Sequence, residues 1–409
     1  MTLRQEADAI IHAALRAAQP DAAVRRALRA LPDCRGRLLL VAAGKAAWQM
    51  AAAAQAALGG RIADGVVITK YGHARGALDG LRIFEGGHPV PDANCFAATD
   101  AAMALARGAG PEDMVLFLLS GGGSALFEKP LLPPQELASL TSALLACGAD
   151  IVEINTVRKR LSAVKGGRFA QLCAPARVFS VILSDVLGDP PDMIASGPAY
   201  PDSSTSEQAQ AIAEKYALPL SGQARALLRE ETPKRLENVQ THIAGSVRQL
   251  CKAACEQCRA LGYRPLVLTD SLRCQAREAG SFLASVAAYH QDSAESLAVI
   301  AGGETVVRVT GTGLGGRNQE LALAAAPGIA GFRDTALFSV GSDGTDGPTD
   351  AAGGYVDGRT ASALRACGLR VDDILADNDA YHALKAVDGL IVTGPTGTNV
   401  NDVAVALLH

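Results

Sequence analysis

The chain has 409 residues, of which 49% are hydrophobic, and its 38 Lys and Arg against 42 Asp and Glu give a formal net charge of −4. This is the composition of a globular protein with room for two or three cores. It speaks against nucleic-acid binding, because neutralising a phosphate backbone requires clustered Lys and Arg. No stretch approaches the roughly 18 apolar residues of a membrane span, and the first residues lack the apolar core of a secretion signal, so we expect a cytoplasmic location.

The first predicted strand, Leu38–Ala43, runs through Gly44 into Lys45 and an Ala-rich helix. At such a turn of a parallel sheet a lysine can meet a phosphate ligand, and a solvated lysine is the alternative. The turn is not a Walker P-loop. Leu39 stands where that motif has its first glycine, and Ala46 replaces its Ser or Thr.

A short strand at Arg82–Glu85 leads into a turn with two glycines and two prolines that contains His88. A single histidine in such a turn either points into a cleft or is structural. The sequence leaves both interpretations open.

The strongest strand signal is the apolar run Met114–Leu119, which is typical of a central parallel strand covered on both faces. It stops at two serines and three glycines, which are Ser120, Gly121, Gly122, Gly123 and Ser124. Converging backbone N–H groups and two hydroxyls predict a phosphate-binding loop. A flexible turn is the alternative.

The stretch from Arg158 to Arg168 carries five cations. On a helix, Arg158 and Lys165 lie near one face, so part of this stretch is a candidate anion site. A solvated charged face is the alternative interpretation.

Another buried strand, Val178–Leu183, ends in an acidic turn that contains Asp185 and Asp189. Carboxylates at the end of a strand offer the hard oxygen ligands that magnesium prefers. We therefore predict Asp185 and Asp189 as magnesium ligands, although loops often carry acids without that role. A further tight turn follows at Ser196 and Gly197.

The polar stretch Glu230–Glu237 contains a proline, and the alternation of strands and helices starts again after it. We therefore expect two α/β domains, residues 1–235 and 236–409, with the larger built on a Rossmann-like, mostly parallel sheet flanked by helices.

In the second half, Gly311, Gly313 and Gly316 satisfy the G-x-G-x-x-G pattern of dinucleotide-binding loops, after a predicted strand at Val306–Thr310. The acid that accompanies this motif is misplaced, because Asp343 lies some thirty residues on. An NAD(P)-dependent reductase is therefore the alternative to a kinase.

Arg317 follows these glycines at the start of a predicted helix. Its planar guanidinium can bind a carboxylate or a phosphate with two hydrogen bonds. A salt bridge to Glu304 or Glu320 is the alternative.

With these stretches together, the chain resembles the glycerate 2-kinase family, whose carboxyl-terminal part is called the MOFRL domain. The matching stretches are Gly44–Ala46, Ser120–Ser124, Asn155–Arg160 with Lys165–Gly167, Ser184–Asp189, Ala195–Pro198, Gly302–Thr305, Gly315–Glu320 and Gly341–Gly347. They are spread over nearly the whole chain and occur in one order.

The resemblance implies transfer of phosphate from ATP, with Mg²⁺, to the 2-hydroxyl of D-glycerate in a cleft between two α/β domains. It also implies a catalytic lysine and arginine, which fall on Lys45 and Arg317, and we add Asp185 to them. We expect the nucleotide to contact the Ser120–Ser124 loop together with Ser196, Gly197 and Asp343. Either Asp343 or Asp189 is expected to accept the hydroxyl proton.

A non-catalytic sensor of nucleotides or phosphosugars is a further alternative, although it would gain nothing from carboxylates gathered beside a phosphate. Related sequences are often labelled hydroxypyruvate reductases, and the sequence does not fix whether hydroxypyruvate is accepted. It does not fix the oligomeric state either, and a homodimer is one candidate.

Overall fold

The structure is a computed structural model that describes the whole chain, residues 1–409. The chain forms two compact units, which we call the first unit (residues 23–244) and the second unit (residues 1–22 and 245–409). This division differs from the expected one at residue 235 in two ways. Strand Val239–Gly245 extends the sheet of the first unit, and the amino-terminal helix packs with the carboxyl-terminal half of the chain.

The first unit is organised around a six-stranded sheet. Its strands are β1 (Leu38–Ala43), β2 (Ile62–Lys70), β3 (Leu81–Gly86), β4 (Met114–Leu119), β5 (Arg177–Leu183) and β6 (Val239–Gly245). The order is β3-β2-β1-β4-β5-β6, and the pairings from β3 through to β5 are all parallel. This strand order is the one found in dinucleotide-binding folds, where ligands bind beyond the carboxyl ends of the strands at the point where the order reverses. The predicted Rossmann-like sheet is confirmed.

Helices pack on both faces of this sheet, and the first helix of the chain belongs to the second unit instead. In chain order the helices up to residue 244 are α1 (Leu3–Ala18), α2 (Pro20–Leu28), α3 (Ala47–Leu58), α4 (Ala93–Arg107), α5 (Gly123–Leu126), α6 (Pro134–Ala146), α7 (Ile151–Arg160), α8 (Arg168–Cys173), α9 (Ser206–Lys215) and α10 (Gly222–Arg229). Every residue of β1 and β4 is buried. Alternate residues of β4 belong to two different cores, Phe117 to one and Leu116 to the other. This is why the run Met114–Leu119 is apolar without interruption.

The second unit has a mixed sheet. Its strands are β7 (Arg264–Leu272), β8 (Leu297–Gly303), β9 (Thr335–Gly341), β10 (Gly353–Asp357), β11 (Leu390–Ile391) and β12 (Asp402–Leu408). The order is β11-β10-β9-β12-β8-β7; only the β7–β8 pairing is parallel, and β12 runs antiparallel to both β8 and β9. Its further helices are α11 (Val247–Ala260), α12 (Ala276–His290), α13 (Arg317–Ala325), α14 (Thr360–Ala366), α15 (Val371–Asp377) and α16 (Ala380–Ala386).

Helix α1 packs in the second unit against α11. Thr2 and Gln5 form a capping box at its start, which satisfies backbone donors of the first turn. The Tyr263 hydroxyl donates a hydrogen bond of 2.5 Å to the buried Glu6 carboxylate. No helix combines the length and the apolar character needed to cross a bilayer.

One predicted strand is wrong. Residues 306–310 are irregular and make a single bridge, between Val306 and Gln275, and Val309 is 75% exposed. Both sides of the preceding strand, β8, are already occupied by β7 and β12. The alternating valines therefore have no sheet to join.

Candidate active site

Two strand-end loops of the first unit interlock where its strand order reverses, between β1 and β4. The backbone N–H of Ala46 donates to the Ser120 hydroxyl at 3.0 Å, and that of Lys45 donates to the Gly121 carbonyl at 2.8 Å. Gly44 has a φ of 124°, and a Cβ there would overlap with Ser120. The loop with Lys45 and the loop with three glycines are therefore one structural element at the position where such sheets bind ligands.

Lys45 has a fixed backbone and an unpaired side chain. Its carbonyl accepts hydrogen bonds from the Thr69 hydroxyl at 3.3 Å and from Nδ1 of His73 at 3.1 Å. Lys45 is half-buried, and its hydrogen bonds within the protein use the backbone N–H and carbonyl, which leaves the ammonium without a partner. A cation held in this way beside a glycine loop is available to a ligand anion.

The glycines of this loop are bordered by groups that leave no room for side chains. A Cβ on Gly121 would overlap with the Asp185 carboxylate, and a Cβ on Gly123 would lie 2.8 Å from Ala195. Gly122 has a φ of 84°, a conformation that favours glycine. The structure thus brings the predicted Asp185 to the loop, together with the turn that precedes Ser196.

Ser124 is held by a chain of polar groups that the sequence did not reveal. Its hydroxyl lies 3.1 Å from that of Ser196, which donates to Oδ1 of the buried Asn155 at 2.9 Å. Ala195, Ser196 and Gly197 have φ values of 49°, 61° and 63°. A left-handed backbone is costly at the two non-glycine residues, Ala195 and Ser196, and such backbones cluster at ligand sites.

Asp189 is suited to a cation. Its Oδ1 atom is buried and has no hydrogen-bond partner, and its own backbone is left-handed, with φ 52°. No group of three or more His, Cys, Asp or Glu side chains is placed to hold a metal ion by itself. Magnesium commonly uses only one or two carboxylates together with the phosphate oxygens of its substrate, and the buried Oδ1 of Asp189 is available for a site of that kind.

Most of the cation-rich stretch forms internal ion pairs. Lys159 is fully buried and lies 2.9 Å from Asp202, and Arg160 lies 3.4 Å from Glu231. These side chains join α7 to the polypeptide that follows β5. Neither of them is free to bind a ligand anion.

Two cations of the stretch, Arg158 and Lys165, bind the backbone at the end of the glycine loop. The buried Lys165 ammonium donates to the Ser124 carbonyl at 2.8 Å and lies 3.2 Å from Glu128, and Arg158 donates to the same carbonyl at 3.2 Å. Burial lowers the pKa of Lys165 to about 8, although the charge of Glu128 opposes this effect. Their role is to position Ser124.

In the second unit, Arg317 is the first residue of α13, and two carboxylates hold it. Its Nε and Nη2 donate to the Asp402 carboxylate at 2.6 and 3.1 Å, and its Nη1 lies 3.2 Å from Glu304. Burial opposes its protonation, but the hydrogen bonds and charge of Asp402 outweigh that effect and raise the pKa of Arg317. A salt bridge to Glu304 is therefore present, and the second candidate partner, Glu320, pairs with Arg277 instead.

Asp402 was missed by the sequence analysis. It is the first residue of β12 and stands in register with Gly303 and Gly341, which end β8 and β9. Because β12 runs antiparallel to both neighbours, its first residue lies at their carboxyl ends. The signal was present in the apolar run that follows Asp402, which resembles the other buried strands.

Asp343 and Asp346 follow β9 and have different environments. Asp343 is half-buried and accepts from the Thr345 backbone at 3.0 Å. Asp346 is buried and accepts from the backbone N–H groups of Asn318 and Gln319 at 3.1 and 2.9 Å, which caps α13. Burial raises the pKa of Asp346 to about 6 against these hydrogen bonds.

Most backbone donors of the G-x-G-x-x-G loop are already used within the protein. The N–H groups of residues 310–314 all donate to the segment Asp377–Asp379, and those of Thr310 and Gly311 share the Asn378 side chain. A Cβ on Gly313 would lie 2.5 Å from Asp379. The glycines therefore allow two stretches of the chain to pack closely, and the reductase interpretation loses its structural basis.

Comparisons with known proteins identify the family. A family described as a domain of unknown function, DUF4147, matches residues 6–229, and the MOFRL family matches residues 297–402. The chain is 51% identical to D-glycerate 2-kinase of Thermotoga maritima, over 100% of this chain and 99% of that protein. It is 39% identical to a putative hydroxypyruvate reductase of Agrobacterium vitis, over 100% and 95% of the two chains.

A solved structure agrees with these relatives. The crystal structure of glycerate kinase from Thermotoga maritima superposes with a TM-score of 0.96, at 51% identity, over 100% of this chain and 99% of that one. Two family models, full-length relatives and a shared fold lead to one conclusion: the chain belongs to the glycerate kinase family.

Proposed function

We propose that this protein is a glycerate 2-kinase, which transfers the γ-phosphoryl group of ATP to the 2-hydroxyl of D-glycerate and releases ADP and 2-phosphoglycerate. The observation that carries this proposal is the glycine loop at the reversal of the strand order, with the unpaired Lys45 beside it. The full-length relative named D-glycerate 2-kinase supports the choice of substrate.

Positioning and charge neutralisation account for most of the catalysis of phosphoryl transfer. In our proposal the phosphates of ATP bind at Gly121–Gly123, the Ser120 and Ser124 hydroxyls contact their oxygens, and Lys45 balances the charge that develops. Ser120 supports this role because its oxygen accepts from Ala46, which leaves its own proton for a ligand. The strained turn at Ser196 and Gly197 completes the nucleotide site.

Asp185 and Asp189 would hold magnesium. The buried Oδ1 atom of Asp189, which lacks a partner, and the approach of Asp185 to Gly121 support this assignment. When bound, the ion would reduce the negative charge of the phosphate groups.

Arg317 and Asp343, in the second unit, are the remaining candidate ligand residues. With Lys159 and Arg160 committed to internal ion pairs, Arg317 is the better candidate to bind the glycerate carboxylate or the transferred phosphoryl group. Its Nη1 faces Glu304, whose side chain is 46% exposed, so a ligand anion can replace that contact. We assign Asp343 to the nucleotide.

Phosphorus NMR of purified protein with ATP, Mg²⁺ and D-glycerate tests the function. We expect a phosphomonoester signal that matches 2-phosphoglycerate and a parallel conversion of ATP to ADP. A 3-phosphoglycerate signal would change the position of transfer, and intact ATP would refute the kinase. A parallel reaction with NADH and hydroxypyruvate should consume no NADH.

The metal assignment has a test that does not depend on turnover. Mn²⁺ can be titrated in the presence of ADP, with the free ion measured by electron paramagnetic resonance. D185N and D189N should each weaken Mn²⁺ binding, whereas the exposed control D79N should not. Unchanged binding in D185N and D189N would refute the assignment.

A further inference from the structure

The turn after β3 carries a histidine that the proposed mechanism does not use. His88 stands at the carboxyl end of a parallel strand, as Lys45 and the glycine loop do. A Cβ on Gly122 would lie 3.1 Å from Nε2 of His88 and 3.1 Å from Cγ of Lys45. The imidazole, the lysine and the central glycine of the loop therefore meet at one place.

The backbone that carries His88 is held firmly. Asp92 caps α4 by accepting from the Cys95 N–H at 3.0 Å, and it also accepts from the Tyr71 hydroxyl at 2.7 Å. A Cβ on Gly87 would lie 2.5 Å from the Val90 carbonyl oxygen, so this turn is closely packed. His88 is thus presented on a rigid turn, which is what a catalytic group requires.

The imidazole has no partner within the protein. The ring nitrogens of His88 take part in no hydrogen bond or ion pair within the protein, although the residue is half-buried. Burial, with the charges of Lys45, Lys70 and His73, lowers its pKa, and no carboxylate acts in the opposite direction. At neutral pH the ring is therefore uncharged, and one of its nitrogens carries a free lone pair.

We infer that His88 is a catalytic residue that accepts the proton of the attacking 2-hydroxyl group of glycerate, an inference that rests on the proposed kinase function. The hydroxyl oxygen forms a bond to the γ-phosphorus, and the bond from that phosphorus to the bridging oxygen of ADP breaks. The hydroxyl proton moves to Nε2 of His88, and the imidazolium then releases it to solvent. This assignment replaces Asp343 and Asp189 as proton acceptors, which leaves Asp189 to the metal.

The test compares H88Q and H88A with the control H12Q, which changes an exposed histidine of α1. A general base typically contributes about 10²–10⁴-fold to the rate. We expect kcat of H88Q and H88A to fall by at least about 10²-fold, with ADP binding and the thermal midpoint close to wild type and H12Q unchanged. Added imidazole should restore part of the activity of H88A in proportion to its neutral fraction.

The pH dependence of the wild-type enzyme gives a readout that requires no variant. We expect kcat/KM to fall on the acidic side with a pKa below the ordinary value of histidine, and this limb should be absent in H88Q. A wild type without this limb would overturn the inference, as would an H88Q that retains both the limb and wild-type kcat. Failure of wild-type protein to phosphorylate glycerate would instead refute the proposed function.

Discussion

The guanidinium of Arg317 is bound by the Asp402 carboxylate through two hydrogen bonds, of 2.6 and 3.1 Å. A bidentate pair of this kind fixes the plane of the guanidinium as well as its position. Asp402 is able to do this because β12 places it between the ends of β8 and β9.

We predict that D402N impairs catalysis by releasing Arg317. Misplacing a catalytic group by about 1 Å can cost on the order of 10²-fold in rate, so kcat/KM for glycerate should fall by about 10- to 100-fold. The matched control is E304Q. Steady-state kinetics should show an effect within about threefold for E304Q, because the Glu304 side chain is 46% exposed and that of Asp402 only 9%. Equal losses in both variants would contradict the positioning role of Asp402.

We predict that K45A lowers kcat by about 10²–10³-fold, since removing one preorganised donor from a developing charge has effects of that size. The hydrogen bonds that Lys45 makes within the protein use its backbone, so loss of its side chain should leave the melting temperature almost unchanged. K252A, on the exposed face of α11, is the control for a lost surface charge. A large drop in melting temperature for K45A would instead indicate a structural lysine.

The buried Lys165 should make stability depend on pH. Its pKa in the folded protein, about 8, is below the ordinary 10.5. Between these values the unfolded chain binds more protons than the folded one, so the free energy of unfolding should increase with rising pH, by up to about 1.4 kcal/mol per pH unit.

Urea unfolding between pH 7 and 10.5 measures this dependence. The appropriate comparison is the double variant E128Q/K165M, which removes the charge of Lys165 without leaving the carboxylate of Glu128 buried and unpaired. The difference in slope between wild type and double variant isolates the lysine from other groups that titrate in this range. Identical slopes would contradict the lowered pKa.

We predict that Asn378 stabilises the G-x-G-x-x-G loop and that this loop binds no nicotinamide cofactor. Its Oδ1 accepts from the backbone N–H groups of Thr310 and Gly311 at 2.7 and 3.0 Å. N378A removes the acceptor of two partly buried backbone donors, at about 0.5–1.5 kcal/mol each, and places alanine at a φ of 58°.

N378G separates the two contributions, because glycine adopts that φ readily but restores no hydrogen bond. Urea unfolding should rank the variants with N378A less stable than N378G and both less stable than wild type. None of the three proteins should bind NADH in a fluorescence titration. The reductase interpretation would be supported again if the wild type bound NADH and N378G did not.

The parts of the fold that the sequence predicted well are those in which one local pattern decides the structure. Met114–Leu119 is apolar throughout because the strand is buried on both faces, and its predicted and observed bounds agree. Residues 306–310 have an equally good strand pattern and form none, because both neighbouring positions in the sheet are occupied by distant segments. Pattern alone does not contain that information.

The candidate site shows the same limit. On the basis of their glycines, two stretches were candidate ligand-binding loops, Gly121–Gly123 and Gly311–Gly316. Only the structure separates a loop whose neighbours are Lys45 and Asp185 from one in which the backbone donors of residues 311–314 are taken by Asp377–Asp379. The sequence likewise could not show which lysines and arginines are paired within the protein and which are free to bind a ligand. The partners of Lys159, for example, lie more than thirty residues away along the chain.

Helix α1 is synthesised long before the segment against which it packs. A ribosome releases α1 early, but its packing partner α11 lies beyond residue 245, after the whole of the first unit. The apolar side of α1, which includes Ile10, Ile11 and Leu15, is therefore without its native cover while residues 23–244 are synthesised. Residues 23–244 form a continuous unit with its own cores, so this unit can fold during translation. Helix α1 can pack in its native position only after α11 has been synthesised.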